Sequence, residues 1–246
     1  MNINKKCINH LRYLSCEMIT NAKSGHPGIA LGATEMMYAL FKDPYLYDAK
    51  DHSFFARDRF VLSAGHGSSL YYACAYMFNM GLNSDDLKSF RQIGSITPGH
   101  PEYNGKNFVE VSTGPLGQGI ANAVGMAIGQ SVMAKKFNAQ GYPIFNNYTY
   151  CLCGDGCLME GISEEAISLA GLWRLNNLIV LWDDNNITID GKTDLATKTN
   201  MHARFKANGW EVLECDGHDF ESIENNNYVF TVAGKSLDEG SGVERV

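Results

Sequence analysis

The chain has 246 residues, 45% of them hydrophobic and 19% charged, so it can bury a sizeable core and form one large α/β domain. Its formal net charge of −7 argues against nonspecific binding to nucleic acid or to anionic membranes. No apolar run is long enough to cross a bilayer, and the N-terminal residues lack the apolar segment that a signal peptide would need.

Helical spacing of apolar residues and glycine-rich breaks divide the first third of the chain into predicted elements. Residues 3–22 predict a helix, and Ser24-Gly-His-Pro-Gly28 predicts the loop that ends it. Residues 29–42 predict a second helix. The apolar run 59–63 predicts a strand, which leads through Ala64-Gly-His-Gly-Ser68 into a further helix.

The middle of the chain predicts a short helix and a long helix on either side of a loop. Residues 85–91 carry the short helix, residues 92–113 are rich in loop-forming residues, and residues 117–137 carry the long helix. The first half of the long helix is rich in glycine and alanine, which would let it lie close against another backbone.

Two apolar strands and the helix between them form the clearest unit of the sequence. The strands are predicted at 148–153 and 177–182 and the helix at 160–172, and a further helix and strand follow at 200–208 and 210–215. Because strands alternate with helices, we expect an α/β fold with a mainly parallel sheet and helices on both faces.

Each strand of this unit ends in a polar tip. Gly154-Asp155-Gly156 follows the first strand, and Asp183-Asp184-Asn185-Asn186 follows the second. Ligands of parallel α/β sheets bind at the carboxyl ends of the strands, so we expect Asp155 and Asn185 to meet. They would offer two hard oxygen ligands to Mg²⁺, with phosphate oxygens or water in the other positions. The alternative is two surface turns that never meet.

Two loops are candidates for holding a phosphorylated ligand. The helix that begins near Cys157 or Glu160 would direct free amides at a diphosphate. Gly114-Pro-Leu-Gly117 would let backbone approach a flat ligand. A plain helix entry with proline near the first turn explains this second loop equally well.

Three histidines lie in loops stiffened by glycine or proline: His26, His66 and His100. As neutral imidazoles they could donate hydrogen bonds to phosphate or sugar hydroxyls and move protons. The alternatives are a structural role for each histidine or one zinc site that all three share.

The seven cysteines are an odd number and include no Cys-x-x-Cys pair. Cys151, Cys153 and Cys157 could form a soft-metal site, but their spacing suits core packing better than zinc. We therefore expect a reducing, cytoplasmic setting.

Glu160 and Glu165 follow the first polar tip, with Glu164 beside the second of them. They form either a solvated helix face or, if an interface buries them, a pair that shares a proton.

Together these motifs resemble the N-terminal, diphosphate-binding domain of transketolase. The first tip and the paired asparagines, with 28 residues (157–184) between Gly156 and Asn185, match the thiamine diphosphate fingerprint. The matching motifs cover nearly the whole chain: SGHPG (24–28), AGHGS (64–68), PGHPE (98–102), TGPLGQG (113–119), GDGCLMEGISEEA (154–166), DDNNITIDG (183–191) and DGHD (216–219). The dihydroxyacetone synthase branch of the family is an open alternative.

The resemblance implies roles for individual residues. Asp155, Asn185 and the carbonyl of Ile187 would hold Mg²⁺, or Ca²⁺ or Mn²⁺ in its place. His26 and His100 would contact the sugar. Glu160 and Glu165 would belong to an acidic network between the two active sites of a dimer. The residues that would contact the thiamine diphosphate are His66, Gly114, Pro115, Leu116, Gly156 and Asn185.

The function implied is transfer of a two-carbon ketol unit from a ketose phosphate to an aldose phosphate, in the pentose phosphate pathway. The implied partners are sugar phosphates and a second copy or a complementary transketolase domain, and neither nucleic acid nor a membrane. Family members are much longer, and their site forms between this domain of one subunit and the next domain of its mate.

The last residues depart from the family pattern. We expect residues 1–224 to be the thiamine-diphosphate-binding domain and residues 225–246 to be a divergent polar tail, produced by truncation or frameshift, with a possible short strand at 229–232. Three hypotheses follow: a chain that is inactive alone, the diphosphate-binding subunit of a split transketolase, or a non-catalytic partner of intact transketolase.

Overall fold

The computed structural model describes residues 2–51, 53–105, 108–189, 191–225, 232–233 and 242–245. Its main sheet has the strand order β1-β2-β3-β8-β6, and β7 pairs with the end of β3. The strands are β1 (Arg59–Leu62), β2 (Thr149–Gly154), β3 (Leu178–Asp184), β6 (Glu211–Glu214), β7 (Val232–Ala233) and β8 (Gly242–Arg245). A small antiparallel pair, β4 (Ile187–Thr188) and β5 (Gly191–Lys192), follows β3.

Helices fill the connections between the strands. Their bounds are α1 (Ile3–Ala22), α2 (Pro27–Gly32), α3 (Thr34–Lys42), α4 (Ser68–Met77), α5 (Ser84–Lys88), α6 (Gln118–Phe137), α7 (Asp155–Leu158), α8 (Gly161–Trp173), α9 (Met201–Ala207) and α10 (Phe220–Asn225). None of the helices in the described residues is long and apolar enough to cross a membrane.

The predicted α/β fold with a mainly parallel sheet is confirmed. β1, β2 and β3 are parallel neighbours, with Arg59 opposite Thr149 and Thr149 opposite Leu178. β2 is buried from Thr149 to Cys153 and β3 from Leu178 to Asp183, as strands covered on both faces are. β8 is the exception in direction, because it runs antiparallel to both β3 and β6.

The structure corrects two element predictions. The single helix expected over 29–42 is two helices, α2 and α3, separated at Ala33. The Thr34 hydroxyl donates to the Ala30 carbonyl at this break, so a side chain there competes for helix acceptors. The second correction is β8, because residues 242–245 pair as a strand where the sequence predicted none; the predictions for residues 226–231, 234–241 and 246 lie outside the described residues.

Helix α6 packs directly on the end of β1, as its small residues predicted. A Cβ at Gly119 would lie 2.4 Å from Ser63 Cα, so no larger residue fits there without movement. Elsewhere β1 packs through aromatic contacts, with ring centroids 4.9 Å apart for Phe60 and Tyr71 and 5.2 Å apart for Phe41 and Phe60. This packing fixes the carboxyl end of β1 beside the ends of β2 and β3.

Candidate functional site

Asp155 lies at the carboxyl edge of the sheet, where β2 ends and α7 begins. Its side chain is buried, with 8% of the residue exposed. One carboxylate oxygen accepts from Trp182 Nε1 at 3.0 Å, and the other accepts from the Asn186 backbone N–H at 2.9 Å. The tips of β2 and β3 therefore meet, and the alternative of two unrelated surface turns is ruled out.

The surroundings of Asp155 favour a bound cation. Burial raises the pKa of Asp155 to about 7, and the nearby Asp184 carboxylate adds to that rise. A carboxylate that is desolvated and repelled by a second carboxylate gains from a nearby positive charge. A cavity of about 250 Å³ lies against Asp155, Trp182, Asp184 and Asn186. The donor set of carboxylate, amide and backbone oxygens suits a hard divalent metal.

The loop after β3 presents Asn185 beside Asp155. Asn185 Nδ2 donates to Asp183 Oδ2 at 2.9 Å, and Asn185 Oδ1 accepts from the Ile187 backbone N–H at 2.9 Å. Asn186 and Ile189 both have positive φ, of 58° and 52°, and Ile189 is fully exposed. A β-branched residue in the left-handed region is rare and strained, which marks this loop as a specialised segment.

Glycines let the loops around this edge approach one another. A Cβ at Gly156 would lie 3.0 Å from Leu116 Cδ1, and one at Gly65 would lie 2.8 Å from Gly114 N. The buried Thr113 Oγ1, which lies beside Gly65, has no hydrogen-bond partner among the described residues. Backbone segments from these loops therefore lie close together, and a buried hydroxyl without a described hydrogen-bond partner lies between them.

The three predicted histidines form one cluster. The ring centroid of His26 lies 5.3 Å from that of His66 and 6.3 Å from that of His100. Burial lowers the pKa of His66 to about 4, and its two neighbours add to the effect. Burial, followed by Arg91, lowers the pKa of both His26 and His100. All three imidazoles are therefore neutral near pH 7 and can each donate one hydrogen bond.

Arg91 holds His26 from outside the cluster. Its guanidinium donates to Ser24 Oγ at 2.6 Å and contacts His26 Nδ1 at 3.4 Å. Because an arginine only donates, Nδ1 is the acceptor and Nε2 carries the proton. Arg91 has a positive φ of 61° and was not among the residues predicted from the sequence.

The two predicted glutamates lie in different surroundings. Glu160 immediately precedes α8, and a Cβ at Gly117 would lie 2.6 Å from its Cβ, so it packs against the entry to α6. Glu165 is exposed on α8. Glu164 forms an ion pair with Arg204 instead of pairing with Glu165. Pro115 is also exposed at the mouth of the glycine loop.

The structure thus gathers most of the predicted residues into two adjoining groups. The first is the Asp155 tip with Gly156, Leu116 and the Asn185–Ile187 loop, and the second is the histidine cluster with Gly114, whose Cβ position is 3.5 Å from His100. Sequence reasoning missed Trp182, Asp183, Arg91 and Ile189. The signal for Asp183 was present, since it belongs to the Asp-Asp-Asn-Asn tip itself.

The alternative metal sites receive no support from the geometry. In the described ranges, no group of three or more His, Cys, Asp or Glu side chains is arranged to hold a metal ion. Cys151, Cys153 and Cys157 are buried and form no disulfide with one another. Burial raises the pKa of each of Cys151 and Cys157 above that of an ordinary thiol, which is the behaviour of packing residues.

Comparison with known proteins gives one consistent result. The family model for the transketolase thiamine diphosphate binding domain matches residues 3–231. The transketolase of Aquifex aeolicus is 51% identical over 223 residues, which is 90% of this chain and 32% of that protein. The transketolase of Geobacillus stearothermophilus is 49% identical over 223 residues, covering 90% of this chain and 33% of its own length. The chain thus spans about a third of these relatives.

Solved structures give the same result for the fold. The transketolase of Leishmania mexicana matches with a TM-score of 0.89 at 46% identity, covering 92% of this chain and 34% of that one. A transketolase of Pichia stipitis in complex with sedoheptulose 7-phosphate matches with a TM-score of 0.89 at 45% identity, covering 92% of this chain and 34% of that one.

Proposed function

The chain belongs to the transketolase family, and from this premise we propose that it supplies the half of a transketolase site that holds thiamine diphosphate and a divalent metal. The reaction would transfer a two-carbon ketol unit from a ketose phosphate to an aldose phosphate, as in the pentose phosphate pathway. The observation that carries the proposal is the buried Asp155 carboxylate, which meets the Asn185–Ile187 loop at the carboxyl edge of the sheet.

Asp155, Asn185 and the Ile187 carbonyl would hold the metal, which we expect to be Mg²⁺, with Ca²⁺ or Mn²⁺ as substitutes. Two features support this: the raised pKa of Asp155, which burial and the nearby Asp184 carboxylate cause, and the three kinds of oxygen that Asp155, Asn185 and Ile187 offer together. Phosphate oxygens of the cofactor would complete the coordination.

The diphosphate would lie along Gly156 and His66, with Gly114, Pro115 and Leu116 against the cofactor. The close approach of Leu116 to Gly156 and of Gly114 to Gly65 supports a shared role for these loops. Ile189, on the proposed metal-binding loop, has a positive φ of 52° and is fully exposed, so its apolar side chain is available for contact with a ligand or a partner.

When bound, thiamine diphosphate supplies the electron sink that permits cleavage of the carbon–carbon bond beside a ketose carbonyl. The chain's own contribution is to position and orient the reacting groups. His26 and His100 would direct neutral N–H donors at sugar hydroxyls, and their low pKa keeps them from carrying a competing charge. The complex of the Pichia stipitis transketolase with sedoheptulose 7-phosphate supports a sugar phosphate as the substrate class.

We further propose that the chain functions only with a second protein surface, either a second copy or a complementary transketolase domain. Glu160 and Glu165 would belong to the acidic network at that junction. The exposure of Glu165, together with apolar residues of α8 that face solvent, supports an interface there. The chain alone would be inactive, and the alternatives are a subunit of a split enzyme and a non-catalytic partner of intact transketolase.

The metal assignment predicts the behaviour of an Asp155→Ala variant. This substitution removes the only charged ligand, so Mg²⁺-dependent binding of thiamine diphosphate should be lost. The measurement is a calorimetric titration of the chain with thiamine diphosphate at fixed Mg²⁺. Asp194→Ala is the matched control, because Asp194 is an exposed carboxylate that pairs only loosely with Lys198. Equal binding by both variants and the unaltered chain would show that Asp155 holds no metal.

A mixing experiment separates the three alternatives. The purified chain is assayed for ketol transfer alone, with a transketolase fragment that lacks this domain, and with intact transketolase. Activity only with the fragment supports the split enzyme, and a changed activity of the intact enzyme supports the non-catalytic partner. Turnover by the chain alone would overturn the proposal that it needs a second surface.

A further inference from the structure

Asp183 is a buried carboxylate that is not among the proposed ligands of the cofactor or of the metal. Only 2% of the residue is exposed, and it lies on β3 two residues before Asn185. Its Oδ2 accepts from Asn185 Nδ2 at 2.9 Å. Gly32 of α2 covers it from behind, since a Cβ there would lie 3.7 Å from both carboxylate oxygens. Asp184, the next residue, instead contacts His202 Nε2 at 3.1 Å.

The amide of Asn185 has two chemically different ends, and a metal can use only one of them. Oxygen is a ligand for a hard cation, whereas an NH₂ group repels it. Asp183 Oδ2 accepts from Nδ2, which favours the orientation in which the NH₂ group faces inward. The Ile187 N–H, which donates to Oδ1 at 2.9 Å, favours the same orientation. The second lone pair of Oδ1 is then left for the metal.

We propose that Asp183 is a positioning residue, which locks the Asn185 amide so that its oxygen faces the divalent metal. This inference rests on the proposed function, in which Asn185 ligates that metal. Outer partners of metal ligands commonly affect metal affinity by about 10- to 100-fold. Asp183 would act in this way from a site that neither cofactor nor substrate reaches.

The first test compares two variants that remove the same charge. Asp183→Asn and Asp184→Asn each delete one negative charge close to Asp155, but only the first gives Asn185 a neighbour that can donate as well as accept. The probe is Mn²⁺, titrated in the presence of thiamine diphosphate and followed by water proton relaxation. We expect Asp183→Asn to lose about 10-fold or more in affinity and Asp184→Asn to lose clearly less.

A double variant tests the orientation itself. Asp183→Asn combined with Asn185→Asp keeps the total charge and reverses the hydrogen bond, so that residue 183 donates to residue 185. A carboxylate at 185 presents an oxygen in either orientation and needs no lock. Most of the affinity lost in the single variant should therefore return. An equal loss in the two single variants, or no recovery in the double variant, would overturn the inference.

Two further readings distinguish positioning from simple damage to the fold. The unfolding midpoint of Asp183→Asn should be unchanged or higher, because a buried charge is replaced by a neutral group of the same shape. In the metal-free chain, the side-chain NH₂ protons of Asn185 should be protected from solvent exchange, and Asp183→Asn should remove that protection. Failure of the unaltered chain to bind Mn²⁺ would overturn the proposed metal site and this inference together. Normal binding by Asp183→Asn would overturn this inference alone.

Discussion

His66 is held neutral by its surroundings, and this has a consequence for stability. Its pKa is about 4, whereas the same side chain in the unfolded chain accepts a proton near pH 6.5. The folded state therefore resists a proton that the unfolded state takes up. The contribution of His66 to the free energy of unfolding is therefore largest above pH 6.5 and is lost as the pH falls toward 4. The 2.5-unit difference corresponds to at most about 3 kcal/mol.

The prediction is tested by the difference in unfolding free energy between the unaltered chain and His66→Gln as the pH is lowered. The difference is needed because Asp155 and Asp183, whose pKa values are raised to about 7, change stability in the opposite direction. Nuclear magnetic resonance of the imidazoles provides a direct check. A His66 resonance that titrates near pH 6.5 would contradict the prediction, and His26 should appear as the tautomer protonated at Nε2.

Sequence reasoning identified the proposed ligands but not the residues that support them. Asp155 and Asn185 could be predicted because strand ends of a parallel sheet converge, which is a rule about topology. The separate functions of Asp183 and Asp184 could not, because neighbouring carboxylates look alike until the strand turns them to opposite sides. Arg91 was missed for a similar reason: its contact with His26 joins residues 65 apart, and no local pattern records it.

Among the elements, helix α6 gives the sharpest stability prediction, because its glycines have opposite surroundings. Gly119→Ala would place a Cβ 2.4 Å from Ser63 Cα, so helix and strand must separate, and we expect a loss of about 2 kcal/mol or more. Gly125 has no atom within 4 Å of its Cβ position, so Gly125→Ala should stabilise the chain by about 0.5–1 kcal/mol. Chemical denaturation of both variants measures the two signs, and equal effects would contradict this account of the packing.

The elements themselves show where pattern reasoning succeeds. Helix α1 and the long helix α6 were predicted almost to the residue, because each has a long periodic stretch bounded by glycine or a charged break. The break between α2 and α3 was missed because it is a single residue, Ala33, inside a largely apolar stretch. β8 was missed because pairing with the distant strands β3 and β6 sets its position. Its own polar, glycine-rich sequence carries no strand pattern.

At the scale of the whole molecule, α6 and α8 leave apolar side chains in solvent. Leu172 is 74% exposed and Trp173 53% exposed at the end of α8, and Val132 and Phe137 are exposed on α6. Exposed apolar residues of this size on two contacting helices are typical of an interaction surface. We expect the chain to associate in solution, and Leu172→Glu to shift it toward the monomer. Sedimentation velocity measures this, with Leu195→Glu, an exposed leucine elsewhere, as the control that should not change it.

The parallel pairing of the first three strands also sets an expectation for the order of folding. The register joins Thr149 to Leu178 across 29 residues, but Arg59 to Thr149 across 90 residues. Because closing a longer loop costs more entropy, β2, α8 and β3 should associate before β1 joins them. During refolding, pulsed hydrogen exchange should therefore protect β3 amides before those of β1. The carboxyl ends of β2 and β3, which lead to Asp155 and Asn185, would then be in register before the loops that carry the three histidines reach their folded positions.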